Sequence, residues 1–143
     1  MGKTITNLPS QEELNKLWHN IDPELPDYSF EWSLGLKMSG GNVDFRKRLV
    51  RLSARVHLQY GIEETIKTLK HEAAHVMAYL KHGNYAYQHN KGWFWYYMGK
   101  YSAPRYAPTL CASIRTAPLK LEGHRRNKGI EFDPIGKTFK QRR

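Results

Sequence analysis

Residues 68–83 read TLKHEAAHVMAYLKHG and set His71, Glu72 and His75 within five residues of one another. On an α-helix, positions i and i+4 project side by side, so two imidazole nitrogens can converge on one tetrahedral ion at about 2.0–2.1 Å. The residue after the first histidine is offset around the helix. A carboxylate there can reach a water on the metal without ligating the metal, which is where metal-assisted hydrolysis needs its general base. The pattern points to His71 and His75 as zinc ligands and to Glu72 as the base. The plain alternative is a solvated helix face rich in histidine.

A catalytic zinc takes three protein ligands and leaves one position for water or substrate. His82 lies seven residues beyond His75, about 10 Å up the same helix axis, too far to join the pair. It suits a charge complementing the helix dipole. The metzincin spacing would need glycine at 78 and histidine at 81, where this chain has Ala78 and Lys81. His89 is the better third ligand, because Gly83 ends the helix and a short loop can fold back beside His71 and His75. Glu122 and His124 stay open as alternatives.

The elements around these residues follow from their patterns. PSQEELNKLWHNID reads as a helix, with Ser10 as N-cap, Glu13 completing a capping box, and Leu14, Leu17 and Trp18 as its apolar stripe. Two β-like runs, 28–38 and 45–58, follow on either side of SGGNVD, where Gly40, Gly41 and Asn42 suit the positive-φ positions of a hairpin. A long helix is expected from Ile62 to His82, with Glu63 and Glu64 at its positive end and Gly83 at its C-cap. Ile66, Leu69, Ala73, Val76, Met77 and Leu80 form its core-facing stripe, and the two histidines fall on the other side. Seven aromatics then crowd residues 85–97, and most of the run Trp93 to Tyr97 is expected in the core. These parts make an α+β fold, a small sheet on the histidine-bearing helix.

The chain has 143 residues, one cysteine and a formal charge of +10. A single cysteine excludes an internal disulfide and a Cys-x-x-Cys zinc site, so any metal must be held by histidines and carboxylates. Cys111 is expected to be a small buried residue. No apolar run reaches membrane-spanning length, and the amino terminus lacks the pattern of a secretory signal, so the chain reads as soluble and cytoplasmic, or nuclear in a eukaryote. Residues 1–101 carry 13 Lys/Arg against 10 Asp/Glu, and residues 102–143 carry 10 against 3. A basic tail on a nearly balanced body suggests an anionic partner, most plausibly nucleic acid; a solubilising tail is the competing reading. Arg46, Lys47, Arg48, Arg51 and Arg55 read first as a solvated strand face and second as a phosphate-contacting stripe.

In its order of parts the chain resembles the SprT-like zinc metallopeptidases, which include the Spartan-related proteases that degrade proteins crosslinked to DNA. The resemblance rests on the tryptophan-bearing first helix, RLVRLSARV, TLKHEAAHVMAYL, and a histidine about fourteen residues later, over residues 10–100. The family's His-Gly-x-x-aromatic motif is matched by HNKGW, with Asn90 for the glycine, a residue that tolerates a left-handed backbone. The resemblance implies zinc on His71, His75 and His89, Glu72 as catalytic base, a minimal zincin-like core over 1–101, and protein substrates at DNA. It also implies that the basic extension 102–143 stands where many relatives carry a zinc ribbon. A nucleic-acid-binding protein whose zinc is structural or inactive is the second functional reading.

Overall fold

Ser10 starts the first helix as its composition requires. Its side chain accepts from the Glu13 backbone N–H at 3.1 Å, and the Glu13 carboxylate accepts from the Ser10 N–H at 2.8 Å. In the computed structural model, which describes residues 3–105 and 108–122, this helix follows a short strand. The order is β1 (Lys3–Ile5), α1 (Gln11–Ile21), β2 (Ser29–Ser33), β3 (Gly41–Asp44), β4 (Leu49–Ser53), α2 (Ala54–Tyr60), α3 (Ile62–His82), α4 (Gly92–Lys100), α5 (Ala112–Arg115) and β5 (Leu119–Leu121). The fold is α+β, as its pattern indicates. None of the described helices is long and apolar enough to cross a membrane.

The sheet differs from the expected hairpin. Its order is β2-β4-β3, with β2 parallel to β4 and β3 antiparallel to β4. The two β-like runs therefore pair in parallel. Most of the expected turn SGGNVD is itself the edge strand β3, GNVD, and the reversal falls at residues 45–48, where Arg48 takes φ 53°. Gly40 and Gly41 serve close approach rather than positive φ. A Cβ on Gly40 would stand 2.4 Å from Thr68 Oγ1, and one on Gly41 would stand 2.5 Å from the Arg51 carbonyl oxygen. Only glycine lets this strand lie against α3.

The second half of the expected second strand, ARVHL, is the helix α2. Ser53 ends β4 and caps α2 at once, its hydroxyl accepting from the Val56 N–H at 3.1 Å. A strand-like composition is overridden here by a local capping bond. The basic run is accordingly split. Arg46, Lys47 and Arg48 are exposed at the turn. Arg51 pairs with Glu31 at 3.1 Å. Arg55 is buried, donating to the carbonyls of Leu34, Ile114 and Ala117, each at 2.8 Å. Together with the parallel pairing of β1 and β5, that guanidinium joins residues 110–121 to the rest of the fold.

The core lies between α1, the sheet, α3 and α4. Trp18, Phe30, Leu52, Leu69, Met77, Phe94 and Met98 are its large, almost fully buried members. The Trp18 indole is satisfied there by donating to the Pro26 carbonyl at 2.9 Å. α3 spans Ile62–His82 as its pattern predicts, and Gly83 ends it at φ 93°. Leu80, expected in the stripe, is 51% exposed, while Glu72, Ala74, His75 and Ala78 are buried. The helix is covered on both sides through its middle turns, because α4 packs over the face that carries the histidines.

Candidate metal centre

Three side chains from two segments meet at one point. α3 supplies His71 and His75 one turn apart; the chain after it supplies His89. The return is made by tight turns, with backbone N–H groups of Ala86, Gln88 and Lys91 donating to carbonyls of Gly83, Tyr85 and Gln88. Tyr85 takes φ 75° to make the reversal. Such a conformation is rare for a bulky residue and marks a backbone held by its surroundings. The left-handed position expected at Asn90 is absent from residue 90 and falls on Tyr85 instead.

The Nε2 atoms of the three rings are mutually close: His71 to His89 3.3 Å, His75 to His71 3.2 Å, and His75 to His89 3.1 Å. Ligands at about 2.0–2.1 Å from a tetrahedral ion are separated by about 3.3 Å, so the donor set fits zinc. Hydrogen bonding alone accounts poorly for this triangle. His75 Nδ1 donates to the Tyr87 carbonyl at 2.7 Å, which leaves only a lone pair on its Nε2. Burial pushes the pKa of His71 down to about 4 and that of His75 down to about 3, and their neighbouring imidazoles add to the effect. Both rings are therefore neutral near pH 7, with lone pairs available for a cation.

The floor of the site is Phe94, which is fully buried. Its ring stacks on His75 at 4.3 Å and meets His89 at 5.0 Å and His71 at 5.3 Å. Trp95 donates its indole N–H to the His89 carbonyl at 2.6 Å. The aromatic segment thus builds the surroundings of the histidine cluster. Fewer of its rings are interior than expected, since Trp93, Trp95 and Tyr96 are exposed while Phe94 and Tyr97 are buried. Trp93 instead stacks on His82 at 3.5 Å, which keeps that histidine on a separate surface, bonded to the Tyr97 hydroxyl. No motif signalled that Phe94 and Trp95 would serve the histidines; only their nearness to His89 in the chain hinted at it.

Glu72 lies in the same cleft as the three histidines, a cavity of about 590 Å³ whose walls include β3, Thr68, Tyr87 and Trp95. It is 3% exposed, and burial raises its pKa to about 8. Its carboxyl has no hydrogen-bond partner among the described residues. A neighbouring divalent cation would favour the ionised form and draw the pKa back down. Of the other candidates, Glu122 lies beside β1, where its N–H donates to the Ile5 carbonyl, outside the cluster. His124 lies outside the described residues. Cys111, expected buried, is exposed and leads into α5 with its sulfur 3.3 Å from the Ser113 hydroxyl.

A family model for the SprT-like family matches residues 10–111. The chain belongs to that family. No curated protein and no solved structure matches it. SprT-like domains are associated with metallopeptidase-type chemistry and typically with zinc. The matched span of this SprT-like chain holds both α1 and the entire histidine cluster, and it reaches the segment that leads into α5.

Proposed function

We propose that this SprT-like chain is a zinc-dependent metalloendopeptidase with a zincin-like core, acting on proteins bound or crosslinked to DNA. The observation that carries the reading is the triangle of imidazole nitrogens, 3.1–3.3 Å on a side, opening into the cleft that also holds Glu72. His71, His75 and His89 would hold the ion. When bound, zinc supplies Lewis acidity that lowers the pKa of a water toward about 7 and polarises a substrate carbonyl.

The chain's own groups do the rest. Glu72 takes a proton from the attacking water and passes it to the departing amine. Burial suits it to both tasks, since a carboxyl without hydrogen bonds accepts and returns a proton more readily than one held in an ion pair. Tyr87 holds His75 through its carbonyl, so the ring keeps the tautomer that leaves Nε2 free. Phe94 and α4 keep water from the back of the imidazoles. A purely structural zinc is less well supported, because such sites are closed by four protein ligands and the described residues supply three, beside an open cleft.

The part of the proposal that concerns DNA rests on the net charge of +10, the exposed Arg46, Lys47 and Arg48, and the family resemblance. It places the protein inside the cell, at the nucleoid or in the nucleus. The deciding variant is Glu72→Gln, assayed on denatured casein with and without single-stranded DNA. Cleavage falls by roughly 10²–10⁴-fold while bound metal is retained. Undiminished cleavage by that variant would remove Glu72 from the mechanism.

A further inference from the structure

Peptide hydrolysis passes through a tetrahedral species whose former carbonyl oxygen gathers negative charge, and a donor aimed at that oxygen is worth a large part of the rate. Tyr79, His82, Tyr87, Tyr96 and Tyr97 are near enough in sequence to supply one, and the fold separates them. Tyr79 is stacked flat on Phe45 at 4.2 Å and is absent from the cleft wall. His82 and Tyr97 are bonded to each other at 3.1 Å. Tyr96 is exposed on α4, outside the cleft. Tyr87 alone among the five lines the cavity that contains Glu72 and the imidazoles.

The surroundings of Tyr87 suit the task. Its ring is braced edge-on by Phe45 at 4.7 Å and lies 6.4 Å from the His75 ring, centre to centre. Its hydroxyl has no hydrogen-bond partner among the described residues. Asn42 and Arg105 also bring donors to the wall, the Arg105 guanidinium lying over the Trp95 ring at 4.7 Å, while three others are paired. The Trp95 indole N–H is taken by the His89 carbonyl, the Thr68 hydroxyl by the Glu64 carbonyl, and the Lys67 ammonium by the Glu64 carboxylate. We infer that the Tyr87 hydroxyl is the donor that meets the substrate carbonyl oxygen as its charge develops. This role rests on the hydrolase reading above and adds a catalytic residue to it.

Tyr87→Phe tests the inference cleanly, because it keeps the ring against Phe45 and the main-chain carbonyl that holds His75. On denatured casein, kcat falls by roughly 10²–10³-fold with KM little changed. Zinc stoichiometry and the visible spectrum of the cobalt(II) form stay as in the wild type. Affinity for a phosphonamidate peptide, which mimics the tetrahedral species, falls by a similar factor, while affinity for the product peptides does not. Tyr96→Phe, outside the cleft, behaves as wild type. A kcat within about threefold of wild type would overturn the inference, as would a fall accompanied by metal loss, which would mean that Tyr87 only shapes the site. A wild-type protein that cleaves nothing, or a Glu72→Gln variant that cleaves, would instead sink the hydrolase reading itself.

Discussion

The two halves of the histidine cluster are built by different means. α3 delivers His71, Glu72 and His75 by helical geometry alone, and any helix over Ile62–His82 would set the two imidazoles side by side. The returning segment delivers His89 by tertiary contacts. Its backbone reverses at Tyr85, its carbonyl is gripped by the Trp95 indole, and its ring rests on Phe94. One half is robust because it is local. The other depends on how α4 packs, so the completeness of the site is coupled to the fold of the aromatic segment.

That contrast can be strained from either side. The largest effect is expected at Phe94, which touches both halves. Phe94→Ala costs about 3–5 kcal/mol of stability and weakens metal binding, read by chemical denaturation and chelator competition. If metal affinity were unchanged, the ring would be no more than core filling.

A second test uses the metal-free protein, in which the buried groups delivered by α3 push the pH dependence in opposite directions. His71 and His75 titrate at about 4 and about 3 when folded, against an ordinary 6.5. Between pH 4 and 6.5 the unfolded chain therefore binds more protons at these rings, and stability is lost as pH falls. His57, also lowered by burial, acts in the same sense. Glu72 titrates at about 8 when folded against 4.5, so the folded chain holds the extra proton and stability is lost as pH rises from 4.5 to 8. The histidines outnumber the carboxyl below 6.5, and Glu72 acts alone above it. Denaturation of the metal-free chain should show greatest stability near pH 6.5. With zinc present the fall above that pH should vanish, since a cation removes the penalty on ionised Glu72 and binds unprotonated imidazoles. A flat profile in the metal-free protein would show that these groups are not buried as described.

The smallest effect isolates the returning half. Trp95→Phe keeps an aromatic ring but, with part of the indole, deletes the N–H that donates to the His89 carbonyl. It should weaken zinc binding about tenfold, as loss of a ligand's supporting partner does, with thermal stability nearly unchanged. An equal loss on changing the exposed Trp93 to Phe would deny Trp95 any particular role.

What could be read from the sequence divides along the same line. The α1 cap, the bounds of α3 and the meeting of His71, His75 and His89 were accessible, because capping and helical spacing act over a few residues. Sheet topology was not. β2 pairs with β4 across a separation that no local pattern encodes, and Gly40 and Gly41 were selected by the approach of Thr68 rather than by a turn. The burial of Arg55 is not legible in the sequence either, since its partners include main-chain carbonyls far along the chain. Tertiary contacts likewise decided which aromatics of α4 face inward.

Metal content of the purified, zinc-reconstituted protein, wild type beside His89→Ala, tests the central claim most directly. The account predicts one tightly bound zinc per chain in the wild type and its loss in the variant, with helical content by circular dichroism preserved. Stoichiometric zinc surviving in His89→Ala, or none bound by the wild type, would contradict it.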